Sequence, residues 1–199
     1  KLKVRQASIL DTVVKELPGR LPEAAAQHLA SVAWSFATLG LRNEPVLKII
    51  ADASLPRMME FLPRHLSNLV WALAKLSFND PPLLQSISDA SLRSAQHADR
   101  QGLANTAWAF AALLWRDEPL MTAIGLQSCK SIASFTSQHV TNSAWAFAKL
   151  EIYDAPVMKT LSSASLVMLK EFGTQGLVNM LWAVAKLSYE DDALVQALS

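Results

Sequence analysis

Gly102-Leu-Ala-Asn-Thr-Ala-Trp108-Ala-Phe-Ala-Ala-Leu113 is one of five closely similar segments in this chain. The others are His28-Leu-Ala-Ser-Val-Ala-Trp34-Ser-Phe-Ala-Thr-Leu39, His65-Leu-Ser-Asn-Leu-Val-Trp71-Ala-Leu-Ala-Lys-Leu76, His139-Val-Thr-Asn-Ser-Ala-Trp145-Ala-Phe-Ala-Lys-Leu150 and Gly176-Leu-Val-Asn-Met-Leu-Trp182-Ala-Val-Ala-Lys-Leu187. Their tryptophans follow one another at intervals of 37 residues with no insertion. Self-similarity at a fixed period of roughly 20 to 50 residues marks a repeat array, because each unit leaves an apolar face that only its neighbour covers. One domain spanning 1-199 is expected, with whole repeats at 27-63, 64-100, 101-137 and 138-174 and partial repeats at 1-26 and 175-199.

Each tryptophan segment is rich in Ala, Leu and Phe, lacks proline and runs for about fourteen residues, which suits a helix better than a strand. This helix A is expected over 27-39, 64-76, 101-113, 138-150 and 175-187. Nine residues past the tryptophan stands Asn43, Asp80, Asp117, Asp154 or Asp191, and two further on Pro45, Pro82, Pro119 or Pro156. An Asn or Asp accepts a bond from an unpaired first-turn amide, and proline has no amide to lose there, so the pair marks the start of a helix B. Its apolar stripe reads Leu83, Leu84, Ile87, Leu92 and Ala95 in one repeat and Val157, Met158, Leu161, Leu166 and Leu169 in another. Pro63, Ser137 and Gly173-Thr174 break helix B before the next helix A. The expected fold is all-α, a right-handed α-solenoid of helix-turn-helix repeats.

With 51% hydrophobic and 18% charged residues the chain has ample material for a continuous core and no disordered composition. The formal net charge of +1 points to no partner in particular. Cys129 is the one cysteine, which excludes an internal disulfide framework and a cysteine zinc site. No apolar run reaches the roughly 18 residues of a membrane span, so no membrane partner is expected. Residues 6-17 fall in register with a preceding helix B, with Ile9, Leu10 and Val13 at the positions of Leu83, Leu84 and Ile87, and 192-199 open a fifth helix B. Neither end carries a polar capping repeat, an initiator methionine or a targeting segment, so a piece of a longer protein is expected.

Catalytic chemistry is not expected. No Gly-x-Ser-x-Gly elbow, glycine-rich phosphate loop or His-Glu-x-x-His is present. His28, His65 and His139 share one repeat position, but equivalent atoms in stacked helices stand about 8 to 10 Å apart, whereas zinc-bound nitrogens sit about 2 Å from the metal. Neither a metal nor a cofactor is expected, and these histidines read as the polar edge of helix A. Trp115 breaks the tryptophan series, yet its equivalents Leu41, Phe78, Ile152 and Tyr189 are apolar, which favours packing over base stacking. The five register tryptophans are likewise expected to fill the gaps between A helices.

The informative pattern is polar. Gln27, Arg64, Gln101, Gln138 and Gln175 lie seven residues before the tryptophan, Ser31, Asn68, Asn105, Asn142 and Asn179 three before, and Thr38, Lys75, Ala112, Lys149 and Lys186 four after. Such offsets project from one side of a helix and form ladders in a stack. Two before the tryptophan comes a varied position, Val32, Leu69, Thr106, Ser143 and Met180. No acid falls between seven before and five after any of the five tryptophans, while Arg64, Lys75, Lys149 and Lys186 do. An acid-free, weakly basic stripe suits a polyanion. Two other accounts stand beside this one: helix A as a buried helix that excludes all charge, and the asparagines as locks between repeats.

The phrase Leu-Ala-Asn-Thr-Ala-Trp-Ala-Phe-Ala-x-Leu at 103-113 and its four copies resembles the octotricopeptide and heptatricopeptide repeat proteins of algae, dinoflagellates and apicomplexan parasites. The period is closer to the heptatricopeptide form. The resemblance implies a mitochondrial or plastid protein that binds single-stranded or ribosomal RNA to support its stabilisation, processing, translation or assembly. Armadillo-type solenoids also line a groove with Asn and Trp, so a peptide-binding or subunit scaffold is the competing class.

Overall fold

The structure, a computed structural model, describes residue 12 and residues 14–198. Short 3-10 turns at Leu17–Gly19 and Leu21–Glu23 lead into α1 (Ala26–Leu39), α2 (Glu44–Ser54), α3 (Pro63–Lys75), α4 (Pro81–Ser94), α5 (Arg100–Ala112), α6 (Glu118–Ser131), α7 (Ser137–Lys149), α8 (Ala155–Val167), α9 (Thr174–Lys186) and α10 (Asp192–Leu198). The fold is all-α, with no strand among the described residues. Odd-numbered helices carry the tryptophans and start one residue ahead of the expected helix A in each case. Ile9, Leu10 and Val13, read as the tail of an earlier helix B, lie outside the described residues.

Two end signals fix the hairpins. The side chains of Asn43, Asp80, Asp117, Asp154 and Asp191 accept from Val46, Leu83, Leu120, Val157 and Leu194 amides at 2.9 to 3.1 Å, which starts the even-numbered helices as the sequence implies. Each odd-numbered helix ends on a left-handed residue, Gly40, Ser77, Leu114, Glu151 or Ser188, with φ between 49° and 67°. The next amide then reaches back into the helix, as Trp115 N does to the Phe110 carbonyl at 2.9 Å. That is a Schellman closure, which seats an apolar residue against the helix it ends. Leu41, Phe78, Trp115, Ile152 and Tyr189 all occupy this place and pack on the core. Trp115 is thus a packing residue, as its apolar equivalents indicated.

The tryptophan helices lie side by side in sequence, α1 on α3, α3 on α5, α5 on α7 and α7 on α9, and the even-numbered helices form a second row against them. The core lies between the rows, from Leu29, Ala33 and Phe36 through Leu103, Ala107 and Phe110 to Val140, Ala144 and Phe147. Asp117 and Asp191 use their second carboxylate oxygen to accept from Ser88 and Ser162 of the preceding even helix, and Asp80 accepts from Lys48 at 3.1 Å. Three of the five caps, Asp80, Asp117 and Asp191, therefore also tie one hairpin to the next.

Two sequence expectations need correction. Leu92 and Leu166 are exposed, not part of the buried stripe. They stand nine residues after Leu83 and Val157, half a turn away at about 3.6 residues per turn. The even helices also do not run to the next A helix. They give way to 3-10 turns at Leu55–Glu60, Ala95–His97, Ile132–Ser134 and Leu169–Glu171.

Candidate functional site

At about 100° per residue, offsets of minus seven, minus three, zero and plus four fall within roughly 60° of one another around a helix. The tryptophan must therefore share the face of the polar ladders. The structure shows this. Gln27, Arg64, Gln101, Gln138 and Gln175 are exposed, as are Thr38, Lys75, Ala112, Lys149 and Lys186, while Asn68, Asn105, Asn142 and Asn179 are half-buried and Ser31 is exposed. Between these rows run the five indoles. Trp34 and Trp182 are 44% and 38% exposed, and Trp71, Trp108 and Trp145 are half-buried.

The expectation that the tryptophans fill the gaps between A helices holds only in part: Trp71, Trp108 and Trp145 are half-buried and pack against the core, while Trp34 and Trp182 are exposed. The positions five and one before and two after them supply the buried core, as Leu66, Val70 and Leu73 do in α3. The indoles instead form two stacked runs, Trp34 with Trp71 and Trp108 with Trp145 and Trp182, with no ring contact between Trp71 and Trp108. Ring centroids of Trp34 and Trp71, of Trp108 and Trp145, and of Trp145 and Trp182 each stand 6.4 Å apart, with interplanar angles of 29°, 30° and 34°. The helical offsets already carried this signal, but a tryptophan flanked by alanines reads first as core.

The varied position also changes role. Thr106 and Ser143 are 6% and 0% exposed, and Leu69 and Met180 are buried with them. Two residues before the tryptophan is about 160° round the helix, on the core side. These hydroxyls cannot reach a ligand on the ladder face, so variation there reflects packing between helices.

Asparagine could have locked repeats together, but Asn68, Asn105 and Asn142 form no hydrogen bond to another described residue. Their half-buried amides point into shallow grooves between neighbouring tryptophan helices. One groove is lined by Trp34, Arg64, Asn68, Asp99, Gln101 and Asn105, and another by Gln138, Asn142, Gln175 and Asn179. Gly102 and Gly176 lie in these grooves, where the other repeats have histidine. A Cβ on Gly176 would stand 2.9 Å from the Phe172 ring.

The outer repeats are more self-satisfied. Ser31 donates to the Gln27 carbonyl at 2.8 Å, Thr38 to that of Trp34 at 2.9 Å, and Gln175 to Asn179 at 2.8 Å. Lys186 is ion-paired with Glu151, which holds that carboxyl below its ordinary range. Lys75 lies 6.0 Å over the Trp71 ring. Lys149 has no partner among the described residues. Asp99, just outside the acid-free window, caps Gly102 N at 2.7 Å at the groove edge. The stripe is therefore less basic than its four cations implied.

The histidines have local work. Nδ1 of His65 and of His139 accepts the backbone amide of Leu62 at 3.3 Å and of Thr136 at 3.2 Å, at the start of α3 and α7. Burial, reinforced by Arg64 and Arg100 respectively, lowers both pKa values and keeps that lone pair free. Among the described residues no three His, Cys, Asp or Glu side chains are grouped so as to hold a metal ion, and no helix is long and apolar enough to cross a membrane.

The face assembled here carries two stacked runs of flat rings flanked on one side by unpaired amides and on the other by lysines. No curated protein matches the chain. Its residues 3–155 match a family model described as RNA-editing substrate-binding complex 6 protein.

Proposed function

The chain belongs to the RNA-editing substrate-binding complex 6 protein family, and from that premise we propose that it is a non-catalytic subunit that holds single-stranded RNA on the face of α1, α3, α5, α7 and α9. The observation that carries this reading is the run of three half-buried amides, Asn68, Asn105 and Asn142, in register and without protein partners. An accessible amide that bonds nothing in its own protein keeps its full hydrogen-bonding capacity for a ligand. Base edges, which offer donors and acceptors, match an amide that is both. Gln101 and Gln138 extend the row, and Arg64, Lys75 and Lys149 supply charge for the sugar–phosphate backbone.

The finer reading is a heptatricopeptide-like array, one domain over 1-199 built as a right-handed solenoid of 37-residue helical hairpins, with the tryptophan helices on its concave side. Convergence of the indoles to 6.4 Å, closer than the roughly 8 to 10 Å between packed helix axes, supports that curvature. The setting we propose is organellar, mitochondrial or plastid, with the protein acting in RNA processing within a larger assembly. Protein contacts fit the opposite side, where Ile132, Ala164, Val167 and Met168 line an apolar groove and Val167 is 85% exposed. A pure scaffold is the second reading.

Fluorescence anisotropy with a labelled single-stranded RNA of about ten nucleotides at low salt tests the assignment, with an RNA duplex of equal length as control. Saturable binding of the single strand is expected, weakened about tenfold or more by N68A/N105A/N142A at unchanged melting temperature, since each amide bond contributes about 0.5–1.5 kcal/mol. Equal affinity for strand and duplex, or no effect of the triple substitution, sinks the ladder. Absence of any RNA binding leaves the scaffold reading in its place.

A further inference from the structure

The tryptophans have no role in the amide–base scheme above, yet all five are partly exposed on that face. Large aromatic side chains left partly exposed along one face, where Leu or Ala would suffice for a helix surface, mark a surface built for contact. Their spacing is specific. A flat group held between two rings needs roughly 7 Å between them, twice the rise of about 3.4 Å per stacked base. The centroid separations are 6.4 Å with tilts of 29° to 34°, a little short of that spacing and within the roughly 4.5–7 Å range of aromatic pairs, so each pair is a closed wedge in the free protein. A small rotation of one indole opens such a wedge to a planar guest.

We infer that the slots Trp34/Trp71, Trp108/Trp145 and Trp145/Trp182 are base-sandwiching subsites, each taking one unpaired nucleobase of a single-stranded RNA between two indoles. This rests on the RNA reading above and specifies its mode. The other planar guest of the right thickness is a guanidinium, on an arginine-rich peptide. The stripe argues against it: no carboxylate falls within the five tryptophan windows to neutralise such a cation, the groove-edge Asp99 is engaged in capping Gly102, and Lys75 and Lys149 flank the rings. An anionic strand meets the opposite situation. In α5 and α7 the asparagine stands three residues before the tryptophan on the same face, and in α7 Lys149 stands four after it. A base in the Trp108/Trp145 slot thus has amides on one side of the rings and its phosphate has a lysine on the other. The mode predicts one base per slot, tolerant of base identity in stacking and selective only through the amides.

The test uses the whole chain and two strands of about ten nucleotides: oligouridylate, and the same sugar–phosphate backbone with abasic residues. Uridylate should quench tryptophan emission on binding, and the abasic strand should bind at least about tenfold more weakly at equal salt. W145A removes a wall from two slots and should weaken uridylate binding about five- to a hundredfold, the range expected for losing a stacked base. W145F keeps a flat ring and should recover most of that loss. If W145A proves unfolded, the abasic comparison on the native chain still decides. Equal binding of both strands with unchanged emission overturns the sandwich while leaving RNA binding intact. Failure of both strands to bind overturns both, and quenching by an arginine-rich peptide alone would assign the slots to guanidinium groups.

Discussion

The central helices α3, α5 and α7 and the outer helices α1 and α9 share one sequence pattern but differ in how much of it the protein itself uses. In the centre, Asn68, Asn105, Asn142 and Lys149 point outward with no partner. At the outer positions the equivalent groups are consumed: Ser31 and Thr38 bond to their own helix, Asn179 bonds Gln175, and Lys186 is paired with Glu151. Repetition therefore does not make equivalent sites. A rung is open to a ligand only where it has no partner in the protein, and on the proposed RNA reading that favours the middle of the array.

The same division governs stability, and the largest effect tests it there. Phe147 in α7 is fully buried, whereas Leu39 at the end of α1 is 56% exposed. Phe147→Ala should cost about 3–5 kcal/mol through lost burial and the cavity left behind, and Leu39→Ala should stay within about 0.5 kcal/mol. Urea unfolding monitored by circular dichroism measures both. Comparable losses would show that the centre has no privileged core.

Acid should act on the centre next. Outside the fold an imidazole titrates near 6.5, and in the fold both His65 and His139 are lowered. Below about pH 6.5 the unfolded chain then binds more protons than the folded one, so their contribution is complete above that pH and is lost as pH falls through the folded values. Each protonation also removes a cap acceptor, an effect of about 1 kcal/mol. H65Q/H139Q retains an acceptor at the third helical position without a titration. Its melting temperature should fall less between pH 7 and pH 5 than that of the native chain. Parallel curves would reject the histidine account.

Salt dependence sharpens the contrast between free and consumed rungs. Each phosphate neutralised on a single strand contributes about 0.7 to the slope of log affinity against log salt. Lys149→Ala should remove close to that amount, and Lys186→Ala less, because its ammonium is already shared with Glu151. Anisotropy titrations at three salt concentrations give both slopes. A larger loss at Lys186 would mean that the ion pair opens on binding and that the outer repeat is as active as the central ones.

Most of the fold was legible because helical signals are local. Asp117 before Pro119 and the proline-free tryptophan segments name their own elements, and the structure moves helix starts by a single residue. The ladders were legible for the same reason. What misled was residue character set against angular position: Trp108 reads as core by type but lies at the angle of Asn105, and Thr106 reads as surface by type but lies on the core side. Which asparagines stay unpaired depends on side chains from two helices at once, as with Gln175 and Asn179 against Gln138 and Asn142, and no single segment carries that information.

The smallest expected effect concerns how the helices end. Gly40 closes α1 at φ 67°, while α5 closes on Leu114 at φ 56°. A left-handed backbone brings the Cβ of an L-residue close to the carbonyl, at a cost of about 1–2 kcal/mol that glycine escapes. Nothing stands within 4 Å of a Cβ built on Gly40, and Leu114 is 65% exposed, so neither side chain has a packing role to confuse the comparison. Glycine at Leu114 relieves that strain but makes the unfolded chain more flexible, which returns part of the gain. Leu114→Gly should therefore stabilise by no more than about 1 kcal/mol, and Gly40→Ala should destabilise by a similar amount. For a chain of this size that is a shift of about 2–4 °C in melting temperature, upward in the first and downward in the second. A drop for Leu114→Gly would mean that the exposed leucine makes a contact worth more than the strain it carries, and that the central repeats differ from the outer one at their turns as well as on the face of the polar ladders.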